Sequence, residues 1–78
     1  MEIKDEAKAE LRALPEELRQ QIGYRLHLLQ KDFGGDVKKL KGSKNEYRLR
    51  VGNHRVLFEL VGKRIVVYTL GARKDIYQ

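Results

Sequence analysis

The strongest constraint on the fold is an alternation of apolar and charged residues along 47–58, which reads Tyr-Arg-Leu-Arg-Val-Gly-Asn-His-Arg-Val-Leu-Phe. Successive side chains of a β-strand point to opposite faces, so a period of two is typical of strands with one dry face. The pair Gly52-Asn53 interrupts the alternation, and such dipeptides favour the two-residue turn of an antiparallel hairpin. The stretch therefore predicts a hairpin with one apolar face and one cationic face.

A second two-residue turn at Gly62-Lys63 extends the hairpin to three strands, which we predict at 46–51, 54–61 and 64–70. Counting outward from the two turns fixes which residues lie opposite one another. The predicted register places Arg50 opposite Arg55, Leu57 opposite Tyr68 and Arg55 opposite Leu70.

This register sorts the side chains of the three strands onto two faces. The first is apolar and suits a core: Tyr47, Leu49, Val51, Val56, Phe58, Leu60, Ile65 and Val67. The second carries the arginines together with three large side chains: Arg48, Arg50, Arg55, Leu57, Tyr68 and Leu70.

Residues 5–33 read as two helices joined at Pro15, because a proline ends one helix and suits the first turn of the next. We expect Asp5 to cap the first helix, with Glu6 and Glu10 near its positive end. The second helix is predicted at about 16–31, with Gly34-Gly35 as its stop. Its apolar stripe, at helical spacing, comprises Leu18, Ile22, Leu26, Leu29 and Phe33.

The predicted fold is α+β: an N-terminal helical hairpin packed on one face of a small, mainly antiparallel sheet, in the order β-α-α-β-β-β. Residues 1–4 would form a stub of edge strand, and 37–40 a possible further short strand. A chain of 78 residues makes one domain, 1–78. No apolar run approaches membrane-spanning length and no signal peptide is evident, so we expect a cytoplasmic protein.

The net charge of +6 is unevenly distributed along the chain. Residues 1–36 contain six Lys/Arg and eight Asp/Glu, whereas residues 37–78 contain eleven Lys/Arg and three Asp/Glu, which gives formal charges of −2 and +8. A basic second half favours a polyanionic partner, either nucleic acid or an acidic protein. There is no cysteine, and the two histidines are far apart in the sequence, so no metal site is predicted.

The pairing of Arg50 with Arg55 carries the functional prediction. Like charges directly opposite each other destabilise a sheet, and Arg48 adds a third guanidinium on the same face. Guanidinium groups bind phosphate with two hydrogen bonds, so these residues predict a phosphate-binding surface. The alternative is a solvated face whose arginine stems lie on Leu57 and Tyr68.

Other candidate residues lie near the end of this hairpin. His54 follows the turn and falls on the core face next to Arg55, where it is either a structural residue or a general acid or base. The C-terminal residues Arg73, Lys74 and Tyr77 follow the last strand, and they form either an ordinary basic tail or an extension of the arginine site.

The block 47–58, the preceding Leu40-Lys-Gly and the terminal Gly71-Ala-Arg-Lys-Asp-Ile-Tyr77 together resemble the RelE/ParE superfamily of toxins from type II toxin–antitoxin systems. The helical opening from Glu6 to Pro15 is similar too, so the resemblance covers nearly the whole chain. It implies a small sheet packed by an N-terminal helical hairpin.

For the RelE branch, the resemblance implies a ribosome-dependent mRNA endonuclease that needs no metal or other cofactor. Its catalytic residues would be Arg55, Arg73 and Tyr77. Its RNA-binding residues would be Arg48, Arg50, Lys74 and His54. RelE-type sites commonly use lysine on the strand, and arginine stays protonated, so the general base remains open between His54 and Tyr77.

The resemblance also implies partners: an acidic, RelB-like antitoxin, the ribosome with its mRNA, and operator DNA reached through the antitoxin complex. Two alternatives remain open. One is a ParE-type toxin that inhibits DNA gyrase without cutting RNA. The other is a degenerate toxin that only binds its antitoxin.

Overall fold

The computed structural model describes residues 1–42 and 44–72, and it has two helices on one face of a five-stranded sheet. The elements in chain order are β1 (Glu2–Ile3), α1 (Asp5–Arg12), α2 (Glu16–Asp32), β2 (Asp36–Lys39), β3 (Glu46–Val51), β4 (His54–Val61) and β5 (Arg64–Ala72). The strand order is β1-β5-β4-β3-β2, with β1 parallel to β5 and all other pairs antiparallel. The α+β prediction is confirmed, and the possible short strand is present as β2. Neither helix of the described part is both long and apolar enough to cross a membrane.

The helices begin and end close to the predicted positions, but their caps differ. The N-cap of α1 is Lys4, which makes no side-chain capping bond, so the prediction that Asp5 caps this helix is wrong. Asp5 is instead the first helical residue, where its charge still favours the helix dipole. Glu10 lies in the last turn of α1 rather than near its positive end. Pro15 is the N-cap of α2.

The core lies between the helices and the apolar face of the sheet. From the helices, Ala7, Ile22, Leu26 and Leu29 are buried. They pack against the central side chains of the sheet: Leu49, Val51, Val56, Phe58, Ile65, Val67 and Leu70.

Phe33 closes one end of this core. It is the C-cap of α2 with a left-handed φ of 60°. Its ring meets those of Tyr47 and Phe58 edge-to-face, with centroids 5.6 and 5.8 Å away. The aromatic contacts hold the end of the helix against the sheet.

The first hairpin has the predicted register, with Arg50 opposite Arg55 and Tyr47 opposite Phe58. The turn between its strands uses the left-handed φ of 60° at Gly52, which glycine adopts without steric cost. The sequence rule for two-residue hairpins therefore held over the whole of this strand pair.

The second hairpin follows the predicted register only as far as Phe58 opposite Val67. A bulge between Leu57 and Phe58 then shifts the pairing, so that Leu57 faces Thr69 and Arg55 faces Gly71. The predicted pairs Leu57–Tyr68 and Arg55–Leu70 are therefore wrong. The bulge turns Leu70 onto the core face, where it is 1% exposed, and burying a leucine side chain is worth about 1.5–3 kcal/mol.

Candidate nucleic-acid interface

Strands β2, β3 and β4 bring four cationic side chains and one carboxylate together on the face of the sheet opposite the core. The register places Asp36 opposite Arg50 and Arg50 opposite Arg55, with Lys38 opposite Arg48 in the next row. These five residues, which we call the arginine face, have a formal excess of three positive charges. The face can therefore attract an anionic ligand.

Asp36 offsets part of this charge. Its Oδ2 lies 2.9 Å from Nε of Arg50, and its Oδ1 lies 4.0 Å from Nη2 of Arg48. Sequence reasoning missed this residue, because the loop between β2 and β3 has no turn signal that fixes their register. The Arg50 side chain keeps 53% of its surface exposed despite the pair, whereas Arg48 keeps 15%. Arg50 is thus the more accessible of the two guanidinium groups.

Arg55 lies deeper in the face. It is only 4% exposed, and its Nη1 donates to the carbonyl of His54 at 3.4 Å. The residue opposite it on β5 is Gly71, which contributes no side chain there. A buried guanidinium is costly to desolvate, so its position must be stabilised by contacts that keep its charge. Arg55 is therefore less accessible to a ligand than Arg50.

The other end of the same face is acidic. Glu46 lies opposite Glu59, and the hydroxyl of Tyr68 donates to Oε1 of Glu46 at 3.2 Å. Burial, followed by the charge of Glu46, the hydrogen bond to it and the charge of Glu59, raises the pKa of Tyr68 to about 12. Tyr68 is therefore a hydrogen-bond donor at neutral pH. An anion is favoured at the arginine face and disfavoured at this end.

The structure brings together only some of the predicted site residues. Arg48, Arg50 and Arg55 share one face, as predicted. His54 pairs with the buried Val51, so its half-buried imidazole lies on the core side of the sheet rather than beside the arginines. Arg73, Lys74 and Tyr77 lie outside the described residues, which end at Ala72 opposite His54. The roles of all these residues stay predictions.

The known proteins that this chain resembles are toxins of the RelE type. No protein-family model matches the chain. The toxin RelE3 of Methanocaldococcus jannaschii is 46% identical over 46 residues, which are 59% of this chain and 52% of that protein. The chain thus aligns with about half the length of this curated relative.

Solved structures match over far more of the chain. A chain of the RelB–RelE antitoxin–toxin complex from Methanococcus jannaschii superposes with a TM-score of 0.83 and 28% identity, covering 100% of this chain and 96% of that one. A chain of the RelE–RelB complex from Pyrococcus horikoshii OT3 superposes with a TM-score of 0.75 and 25% sequence identity. The match covers 92% of this chain and 91% of that one.

Two helices on one face of a five-stranded mixed sheet are the fold of the RelE/ParE toxins. The chain is similar to toxins of this superfamily in both sequence and fold, and the matched relatives are of the RelE type. The resemblance predicted from the sequence is thereby confirmed.

Proposed function

We propose that this chain is the toxin of a type II toxin–antitoxin system and cleaves mRNA on the translating ribosome. The observation that carries the proposal is the arginine face, and above all Arg50 directly opposite Arg55. Such a pair costs a sheet about 0.2–1 kcal/mol, so its presence is better explained by an anionic ligand than by sheet stability. Similarity to toxins of the RelE type supports the same activity.

The arginine face would bind the phosphate backbone of the mRNA. Arg50 is exposed enough to make first contact, and Arg48 lies in the next row, where it can hold an adjacent phosphate. Lys74 and His54 are the remaining RNA-binding candidates. Because these contacts release counterions, the affinity for RNA should fall steeply with added salt.

Arg55, Arg73 and Tyr77 would carry the chemistry. The ribose 2′-oxygen attacks the adjacent phosphorus, the bond from phosphorus to the 5′-oxygen breaks, and a 2′,3′-cyclic phosphate and a 5′-hydroxyl result. Arg55 and Arg73 would stabilise the charge that builds on the phosphoryl oxygens. A base takes the 2′-hydroxyl proton, and an acid returns one to the leaving 5′-oxygen. Arginine stays protonated, so the candidates for the base are Tyr77 and His54, of which His54 lies on the core side of the sheet and would have to act from there.

The proposed inhibitor is an acidic, RelB-like antitoxin. Two of the matched structures are complexes that contain RelB and RelE. An acidic segment laid across the arginine face would compete with RNA for the same guanidinium groups. The complex would reach operator DNA through the antitoxin, and action on translating ribosomes would place the protein in the cytoplasm.

Primer extension on mRNA in a translating extract tests the nuclease. We expect the wild-type protein to produce new cuts inside translated codons. The double variant Arg55→Ala, Arg73→Ala should produce none, because both phosphate-stabilising charges are lost. Absence of cuts with wild-type protein that still arrests growth would instead favour inhibition of DNA gyrase.

The chain offers a matched control for charge. Arg50 and Arg64 are both strand arginines with a carboxylate partner, and their side chains are 53% and 60% exposed. Arg64 lies far from the arginine face, beside Glu2. We expect Arg50→Ala to weaken cleavage and Arg64→Ala to preserve it. Equal losses in the two variants would mean that only net charge matters, and the arginine face would not be the site.

A further inference from the structure

A carboxylate from α1 reaches across to β5. Oε1 of Glu10 accepts hydrogen bonds from the backbone N–H of Leu70 and the hydroxyl of Thr69, each at 3.0 Å, and Oε2 lies 3.2 Å from the same hydroxyl. An acidic residue in the last turn of a helix is disfavoured by the helix dipole. The contact with β5, rather than helix propensity, therefore accounts for glutamate at this position.

Glu10 meets β5 beside its bulge. Tyr68 is the extra residue, between Val67, which faces Phe58, and Thr69, which faces Leu57. Strand β1 pairs with β5 only at Val66 and Val67, so it does not continue along the edge at the bulge. The acceptor for the Leu70 amide comes from α1 instead of a strand, and the polar edge is covered.

The second half of β5 has two possible registers. In a regular ladder Thr69 would enter the core and Leu70 would face Arg55, which is the register that alternation predicts. In the observed register the core receives Leu70, and Arg55 faces Gly71. A slip of one residue thus decides whether a leucine or a glycine lies opposite this arginine.

Glu10 distinguishes the two registers. In the observed register its carboxylate contacts the Thr69 hydroxyl and the Leu70 amide together. In a regular ladder the N–H of Leu70 would point toward Arg55 on β4, and Glu10 could not accept from it. The contact therefore adds to the burial of Leu70 in favouring the bulge.

We propose that Glu10 is a positioning residue that holds β5 in its bulged register and so keeps Gly71, rather than Leu70, opposite Arg55. The importance of this position for RNA cleavage rests on the proposed function. The register itself does not, so it can be tested separately.

Cross-strand nuclear Overhauser contacts measure the register directly. We expect wild-type protein to show Val56–Leu70 and Arg55–Gly71 contacts. Glu10→Ala should add a second set, Val56–Thr69 and Arg55–Leu70. Exchange of the Leu70 amide should become about tenfold faster or more, because a hydrogen bond to a charged acceptor is lost.

Two further variants keep the test decisive if Glu10→Ala does not fold. Glu10→Gln retains an oxygen acceptor without charge, so it should give an intermediate exchange rate. Thr69→Val removes the hydroxyl and makes position 69 more suitable for the core, so it should raise the population of the regular register.

Glu6→Ala is the matched control, because Glu6 is exposed one turn earlier on the same helix. Ile22→Val controls for stability, since it removes one buried methyl group from α2 rather than from β5. Both should keep the bulged contacts. The proposal is overturned if Glu10→Ala and Glu10→Gln retain the wild-type contacts and Leu70 protection, or if Ile22→Val produces the second set as well.

Cleavage in the translating extract then links the register to function. Glu10→Ala should lose activity, whereas Glu6→Ala and Ile22→Val should retain it. If wild-type protein cuts no RNA, the proposed function fails while the spectroscopic test of the register still stands. If Glu10→Ala slips in register but cuts normally, the positioning role in catalysis is refuted.

Discussion

Asp36 lies directly opposite Arg50 in the β2–β3 pair, and its Oδ2 is 2.9 Å from the arginine Nε. Its other oxygen is 4.0 Å from Nη2 of Arg48, so one carboxylate serves two guanidinium groups. The pair reduces the repulsion between Arg50 and Arg55 yet leaves the arginine face with excess positive charge. Asp36 therefore sets a balance between stability of the sheet and attraction for anions.

Asp36→Asn should shift this balance toward binding. Removing one negative charge beside two arginines should tighten the binding of a single-stranded RNA oligonucleotide several-fold at low salt, and screening should reduce the gain as salt is raised. The free energy of unfolding should fall by about 0–1 kcal/mol, since the pair is partly exposed. Fluorescence anisotropy and urea unfolding measure the two effects. Asp32→Asn, an exposed aspartate at the end of α2, is the control, and equal tightening there would refute a local role for Asp36.

Tyr68 should ionise only at strongly alkaline pH. Burial and the carboxylate of Glu46 raise its pKa to about 12, so a titration followed by tyrosinate absorbance should show a step near pH 12. Tyr68→Phe should remove that step. Tyr24→Phe, at a side chain that is 62% exposed, is the control and should leave the step near pH 12 in place. A late step that persists in Tyr68→Phe would refute the assignment.

The same pKa shift makes stability depend on pH in the alkaline range. Below about pH 10 Tyr68 is protonated in both the folded and the unfolded chain, so its contribution is fully present. Between about pH 10 and 12 the unfolded chain loses the proton first, and stability falls as pH rises. Urea unfolding across this range should show a steeper decline for wild type than for Tyr68→Phe. Parallel declines would mean that the shift does not exist.

At position 33, the glycine variant should be more stable than the alanine variant, which reverses their usual order. Its φ of 60° is strained for any residue with a Cβ, at a cost of about 1–2 kcal/mol, whereas its ring makes two edge-to-face contacts with Tyr47 and Phe58. Both Phe33→Ala and Phe33→Gly lose the ring and should be less stable than wild type. Only Phe33→Gly also relieves the backbone, so it should be the more stable variant by about 1 kcal/mol. Thermal unfolding of the two variants provides the comparison, and the opposite order would contradict the strained backbone.

Two glycines should respond oppositely to alanine. Gly23 lies within α2, and a Cβ there meets nothing within 4 Å, so Gly23→Ala should stabilise the protein by about 0.5–1 kcal/mol. Gly35 has a φ of +111°, and its Cβ would lie 3.0 Å from Cδ1 of the buried Leu49. Gly35→Ala should therefore destabilise the protein. Melting temperatures distinguish the two, and stabilisation by Gly35→Ala would show that the chain there adjusts freely.

Local patterns were enough to predict the first hairpin and the arginines on it. Alternation sets the face of each side chain, and the turn at Gly52-Asn53 sets the register, so Arg50 had to lie opposite Arg55. Most of the helical stripe was predicted for the same reason, since its spacing is a property of consecutive residues. Ile22, Leu26 and Leu29 are buried as expected, but Phe33, the last predicted member, is the C-cap of α2 and not a helical residue.

Local patterns could not predict the carboxylate partner of Arg50 or the register of the second half of β5, because both depend on distant parts of the chain. Asp36 lies on β2 and Arg50 on β3, and the length of the loop between these strands does not determine how they pair. The bulge at Tyr68 reverses the predicted face of Leu70, because burying this leucine outweighs an unbroken ladder. No sequence pattern near Tyr68 predicts the bulge.

The sequence by itself thus determined the two helices, the apolar face and the like-charged pair, because each depends on residues a few positions apart. The tertiary structure decided what surrounds the pair: Asp36 beside Arg50, and Gly71 opposite Arg55. These arrangements depend on packing free energies between elements far apart in the chain, such as Glu10 of α1 against Leu70 of β5. Such energies exist only once the sheet and helices have assembled.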